Sequence, residues 1–180
     1  VLPAQCVRPA RFGAIARILG RSVTGLDAAS LEVVTDVFLF IFAVDDLVDE
    51  GGLAYDEIAL RLGQYKLSAE LVYCPEVAFD PIAACLVSIS RRLREATLGD
   101  ALWAEWVRRV HDLLDAMLDE QSAADQLRAE GVTPTLDKYL ESGRHSVGIA
   151  LMSMTAWVVL GESAVVLRLA RLVAAERRLS

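Results

Sequence analysis

Four carboxylates stand within six residues at Asp45-Asp46-Leu47-Val48-Asp49-Glu50, directly after the apolar run Val37-Phe38-Leu39-Phe40-Ile41-Phe42-Ala43-Val44. If the run is helical, the acids fall at its C-terminal end. That end carries partial negative charge and favours Lys or Arg. Asp45/Asp49 and Asp46/Glu50 are like-charge i,i+4 pairs, each mildly destabilising. A divalent cation would remove the cost, since Asp45 and Asp49 stack one turn apart with hard oxygen donors on one face. Magnesium is commonly held by one or two carboxylates together with substrate phosphates. The competing reading is a solvated acidic helix end. Against it stand the abrupt change from apolar residues to acids and the lack of any basic residue from there until Arg61. The spacing excludes a calcium EF-hand loop, which needs a Gly at its sixth position and a Glu at its twelfth.

The elements that must position these acids read as helices throughout. Periodicity and breakers predict helices over 9–22, 27–50, 54–72, 80–97, 99–130, 135–160 and 162–180. Asp27 is placed to cap the second helix, Asp80-Pro81 to open the fourth, Gly131 to end the fifth and Thr133-Pro134-Thr135 to start the sixth. No alternating β-branched run bounded by turn residues occurs, so a sheet is not expected. The segments 30–45 and 147–160 lack a polar face and are expected as central buried helices. In 99–130, by contrast, Leu102, Trp106, Val110, Leu113, Leu114 and Met117 share one face. The expectation is a single all-α domain over 1–180, built as a bundle.

Composition narrows the function classes. The chain has 180 residues, is 54% hydrophobic and carries a formal net charge of −7; its mean hydropathy is +0.39. An acidic chain lacks the surplus of Lys and Arg that nucleic acid demands, so no nucleic-acid partner is expected. No stretch reaches the roughly 20 apolar residues of a membrane span. No basic leader with a cleavage site opens the sequence. Cys6, Cys74 and Cys85 match neither a metal pattern nor a disulfide framework, which suits free thiols in a reducing cytoplasm.

Asp45-Asp46-x-x-Asp49, with the aromatic helix before it, resembles the DDxxD motif of bacterial class I terpene synthases. The likeness extends in order through Trp103 and Trp106, Met117–Glu120, Gly131-Val132-Thr133-Pro134 and Tyr139-Leu-Glu-Ser-Gly-Arg-His-Ser-Val-Gly148. It implies a helical bundle around a central apolar cavity, in which magnesium ionises an isoprenoid diphosphate and the carbocation is cyclised. Three magnesium ions are implied with the diphosphate bound, Asp45, Asp46 and Asp49 acting as metal ligands. The last segment corresponds to a broken helix, in which Arg144 would sense the diphosphate, Ser146 would be the linker and Val147-Gly148 the effector region. The family usually has Arg where Gly143 stands here. Phe38, Phe42 and Trp157 would line the substrate cavity, and Asp45→Ala would abolish turnover while sparing the fold. The spacing Tyr139-x-x-x-Gly143-x-x-Ser146 looks more like bacterial diterpene synthases, favouring a C20 over a C15 substrate. A homodimer is compatible with this reading.

The family's second metal motif, Asn-Asp-x-x-Ser-x-x-x-Glu, is missing. Leu167–Ser180 is similar to the segment that precedes it, so the chain is expected to lack a C-terminal part and residues near 161–162. Two other readings are compatible with the acids. A prenyl-chain-elongating synthase would share fold and metals, but an Arg pair usually follows its aspartates, where this chain has Gly51-Gly52-Leu53-Ala54. A non-catalytic helical binding module would need its acids only for solvation.

Overall fold

The computed structural model describes residues 6–22, 26–50, 52–72, 80–96 and 100–160. Its helices are α1 (Pro9–Ser22), α2 (Ala28–Glu50), α3 (Tyr55–Leu71), α4 (Pro81–Ala96), α5 (Asp100–Glu130), α6 (Leu136–Ser146) and α7 (Ile149–Val159). No strand occurs among the described residues, and the fold is all-α. Among those residues, no helix is long and apolar enough to cross a membrane. The helix expected over 162–180 and the gap expected near 161–162 lie outside the described residues.

The anticipated caps form. Asp27 Oδ1 accepts the Ser30 amide at 2.7 Å, and Asp80 Oδ1 accepts the Ile82 amide at 2.8 Å and the Ala83 amide at 3.2 Å. Each bond satisfies an N–H that the first helical turn leaves without a partner. The other oxygen of Asp80 accepts the Tyr65 hydroxyl at 2.8 Å, tying α3 to the start of α4. Gly131 ends α5 at φ +69, and Thr135 caps α6.

Helix α2 is the hub and packs against α1, α4, α5 and α7. Val34, Val37, Phe40 and Val44 are all but sealed from water. Phe40 meets Tyr65 edge to face, ring centroids 6.4 Å apart, a geometry worth about 0.5–1.5 kcal/mol beyond area burial. The buried acid Asp36 of α2 is ion-paired with Arg92 of α4. From the apolar face of α5, Trp106 is fully buried and donates its indole N–H to Thr155 of α7 at 3.0 Å.

The predicted helix 135–160 is two helices. The chain breaks at Gly148, which sits at φ +73 and caps α7. Helical periodicity continues through this point, because a single residue in the left-handed region redirects the axis without changing the residue pattern. Among the described residues α7 is also less enclosed than its apolar composition suggests. Leu151, Met154, Thr155 and Val158 are buried, whereas Ile149 and the preceding Val147 are exposed.

Candidate active site at the end of α2

The acids lie where the sequence places them, on the last two turns of the central helix. Their partners were not foreseen. The start of α1 lies against this end of α2. Arg8 donates its backbone amide to Asp46 Oδ2 at 3.0 Å and its Nε to Asp46 Oδ1 at 2.7 Å. Arg11 Nη2 donates to Asp46 Oδ1 at 3.0 Å and to Asp45 Oδ2 as well. The Arg11 guanidinium also rests over the Phe42 ring, 4.6 Å from its centroid. The expectation that the cluster lacks basic partners is therefore corrected. They come from upstream, 34 to 38 residues away in sequence, where no local pattern could pair them.

The three aspartates now differ in character. Burial alone would push the Asp46 carboxyl up, but hydrogen bonds from the Arg8 amide and from both guanidiniums outweigh it and hold the group below its ordinary value. Asp49 is shifted the other way. Desolvation raises it first, then the negative charges of Asp45 and Glu120, with the arginines only partly compensating. Asp46 is thus a closed ion pair, Asp45 a half-open one, and Asp49 an acid short of positive charge.

Asp49 lines a cavity of about 640 Å³ between the end of α2, α5 and α6. Carboxylates recur around it at Asp112, Asp115, Asp119, Glu120 and Glu141. Some are already engaged: Asp112 accepts from Arg108 at 2.8 Å, and Asp115 is paired with Lys66. Glu120 faces the α6 side, where its Oε1 accepts the Ser146 hydroxyl at 2.7 Å and the Ser142 hydroxyl at 3.3 Å. The cavity next to Asp49 therefore has an acidic rim where the sequence led us to expect apolar and aromatic side chains.

The other residues singled out from sequence are placed as follows. Ser146 reaches the site through Glu120, so α6 and the end of α2 share this acid as a neighbour. Gly148 is buried, and a Cβ built on it would stand 2.8 Å from Ile41 Cδ1. The α6–α7 junction therefore presses against α2 one turn before Asp45. Arg144 is exposed on α6 and, unlike its neighbours Ser142 and His145, does not line the cavity. Phe38 is buried in the core, Phe42 is partly buried beneath Arg11, and Trp157 packs partly buried against the core. None of these three aromatics lines the cavity.

Hard oxygen donors one turn apart suit a hard dication, and the charge imbalance at Asp49 marks where it would relieve repulsion. Among the described residues, no three acid, His or Cys side chains converge as a ready-made metal cage. The donor set fits a cation that completes its shell with water or phosphate oxygens. Residues 36–165 match a family model described as terpene synthase family 2, C-terminal metal binding. Comparison with curated proteins gives no match.

Proposed function

We propose, from the premise that this chain belongs to terpene synthase family 2, that it uses magnesium to ionise an isoprenoid diphosphate and cyclises the resulting carbocation. The observation that carries this reading is Asp49, an acid short of positive charge at the end of a buried helix, facing a cavity. Asp49 and Asp45 would hold magnesium, with Asp46 fixed behind them by Arg8 and Arg11. When bound, the metal would neutralise the diphosphate as the C–O bond breaks. The chain's own residues would do the rest. Glu120, bonded to Ser146, would link α6 to the metal side of the site. Gly148 would hold that junction against α2. A C20 substrate is favoured over C15 by the Tyr139–Ser146 spacing, and the free thiols of Cys6 and Cys85 suit the cytoplasm.

The test is incubation of the full-length protein with C10, C15 and C20 diphosphates with and without magnesium. We expect magnesium-dependent release of diphosphate together with a cyclic hydrocarbon or alcohol, fastest from C20, and loss of both in Asp49→Asn. A longer prenyl diphosphate made only when a C5 diphosphate is added would identify a chain-elongating synthase instead. Absence of diphosphate release from every substrate would refute an enzymatic role.

A further inference from the structure

The pairing of Arg11 with the aspartates is useful in two states of the site. With no cation present, the guanidinium neutralises Asp45 and Asp46, which would otherwise repel each other at a negative helix end. A dication bound by Asp45 and Asp49 would compete for Asp45 with Arg11, whose charge it repels and which now sits on Oδ2. That pair is only partly buried, with side-chain exposures of 24% and 34%, so it is weak enough to yield. Asp46 is different: at 10% exposure and held by the Arg8 amide and guanidinium, it stays in place. Once displaced from Asp45, Arg11 remains on the Phe42 ring, which needs no charge on its partner carboxylate to hold a guanidinium.

From this we infer that Arg11 is a diphosphate-binding residue, exchanging Asp45 for the anion when a dication enters. The inference rests on the metal reading given above. Charge and geometry both favour it. The five side chains Asp45, Asp46, Asp49, Arg8 and Arg11 sum to −1, and each bound dication moves that local sum by +2 toward attracting a polyanion. Both hydrogen bonds that Arg11 makes to the aspartates run from Nη2 alone. The guanidinium has five donors in a planar fork that matches phosphate oxygens.

Calorimetric titration of the chain with magnesium alone, then with inorganic pyrophosphate at saturating magnesium, tests the exchange. In Arg11→Gln, magnesium should bind about two- to fivefold more tightly, because a competing pair worth a fraction of a kcal/mol is gone. Pyrophosphate should bind about ten- to a hundredfold more weakly, the scale of lost charge-assisted hydrogen bonds. Arg11→Lys should recover part of the pyrophosphate affinity. A purely structural Arg11 would weaken both affinities together, and an uninvolved one would move neither; either result overturns the inference. Asp49→Asn separates the two failures. If it leaves magnesium affinity at the wild-type value, the metal reading falls and the inference with it. If it abolishes magnesium binding while Arg11→Gln alters neither titration, only the inference falls.

Discussion

Each aspartate of the cluster reads from sequence as a cost, an acid at the wrong end of a helix. The structure divides them by their partners. Asp46 accepts three hydrogen bonds from Arg8 and Arg11 and is nearly buried, whereas Asp49 is exposed and repelled by Asp45 and Glu120. Substitutions should therefore differ in sign. Asp46→Asn should lower the unfolding free energy by about 1–3 kcal/mol, the range for weakening a buried charged acceptor. Asp49→Asn should leave the stability equal or slightly raised. Urea denaturation of the two variants beside the wild type measures both, and a loss at Asp49 as large as at Asp46 would contradict this division. Asp45, paired with Arg11, should no longer show the free relief of repulsion that sequence alone suggests for Asp45→Ala.

At the scale of elements, the junction of α6 and α7 decides how the downstream half of the site meets α2. Gly148 serves it in two ways: its φ of +73 turns the chain, and its missing side chain admits Ile41. Gly148→Ala meets both constraints at once. The left-handed conformation costs a non-glycine residue about 1 kcal/mol, and the overlap with Ile41 adds about 1–3 kcal/mol of overpacking. We expect a destabilisation of about 2–4 kcal/mol by chemical denaturation, the sum of those terms. Adding Ile41→Val, which removes the nearest atom but keeps Cγ2 at 3.1 Å, should recover part of the packing cost and none of the backbone cost. Full recovery would show that φ at this position is not strained. Because Ser146 lies two residues before the turn, its bond to Glu120 should loosen in the same variant.

For the molecule as a whole, the acid limit of stability has a visible source on α5. Burial would raise the Glu105 carboxyl, but Arg108 bonds it at 2.6 and 2.9 Å and Arg109 at 2.9 Å, and together they hold it below its usual 4.5. A depressed carboxyl contributes stability while it is ionised. Its contribution is complete above the unfolded-state value and fades as pH falls through the folded one. The stability difference between wild type and Glu105→Gln should therefore be constant from neutrality to about pH 5 and shrink below about 4.5. Unfolding free energies measured across pH 3–7 check this, and a difference that grows on acidification would reverse the assignment.

Much of this was legible in the residues alone, for a reason that Glu105 illustrates. Its partners Arg108 and Arg109 stand three and four positions along, and helical geometry joins such residues whatever surrounds them. The same short range governs the cap at Asp27, the Asp80-Pro81 start of α4, the stop at Gly131 and the apolar face of α5. Sequence therefore determined the all-α class, most helix bounds and the placement of a dense acidic cluster at the end of a buried helix. The break at Gly148 escaped periodicity because one left-handed residue leaves the pattern intact. Tertiary structure alone decided which aspartates are neutralised and which faces the cavity. Those outcomes depend on α1 crossing the end of α2 and on α6 lying beside Glu120, contacts between residues 26 to 38 positions apart. At such separations, pairing is set by how whole helices pack, and charges meet only where the apolar faces bring them.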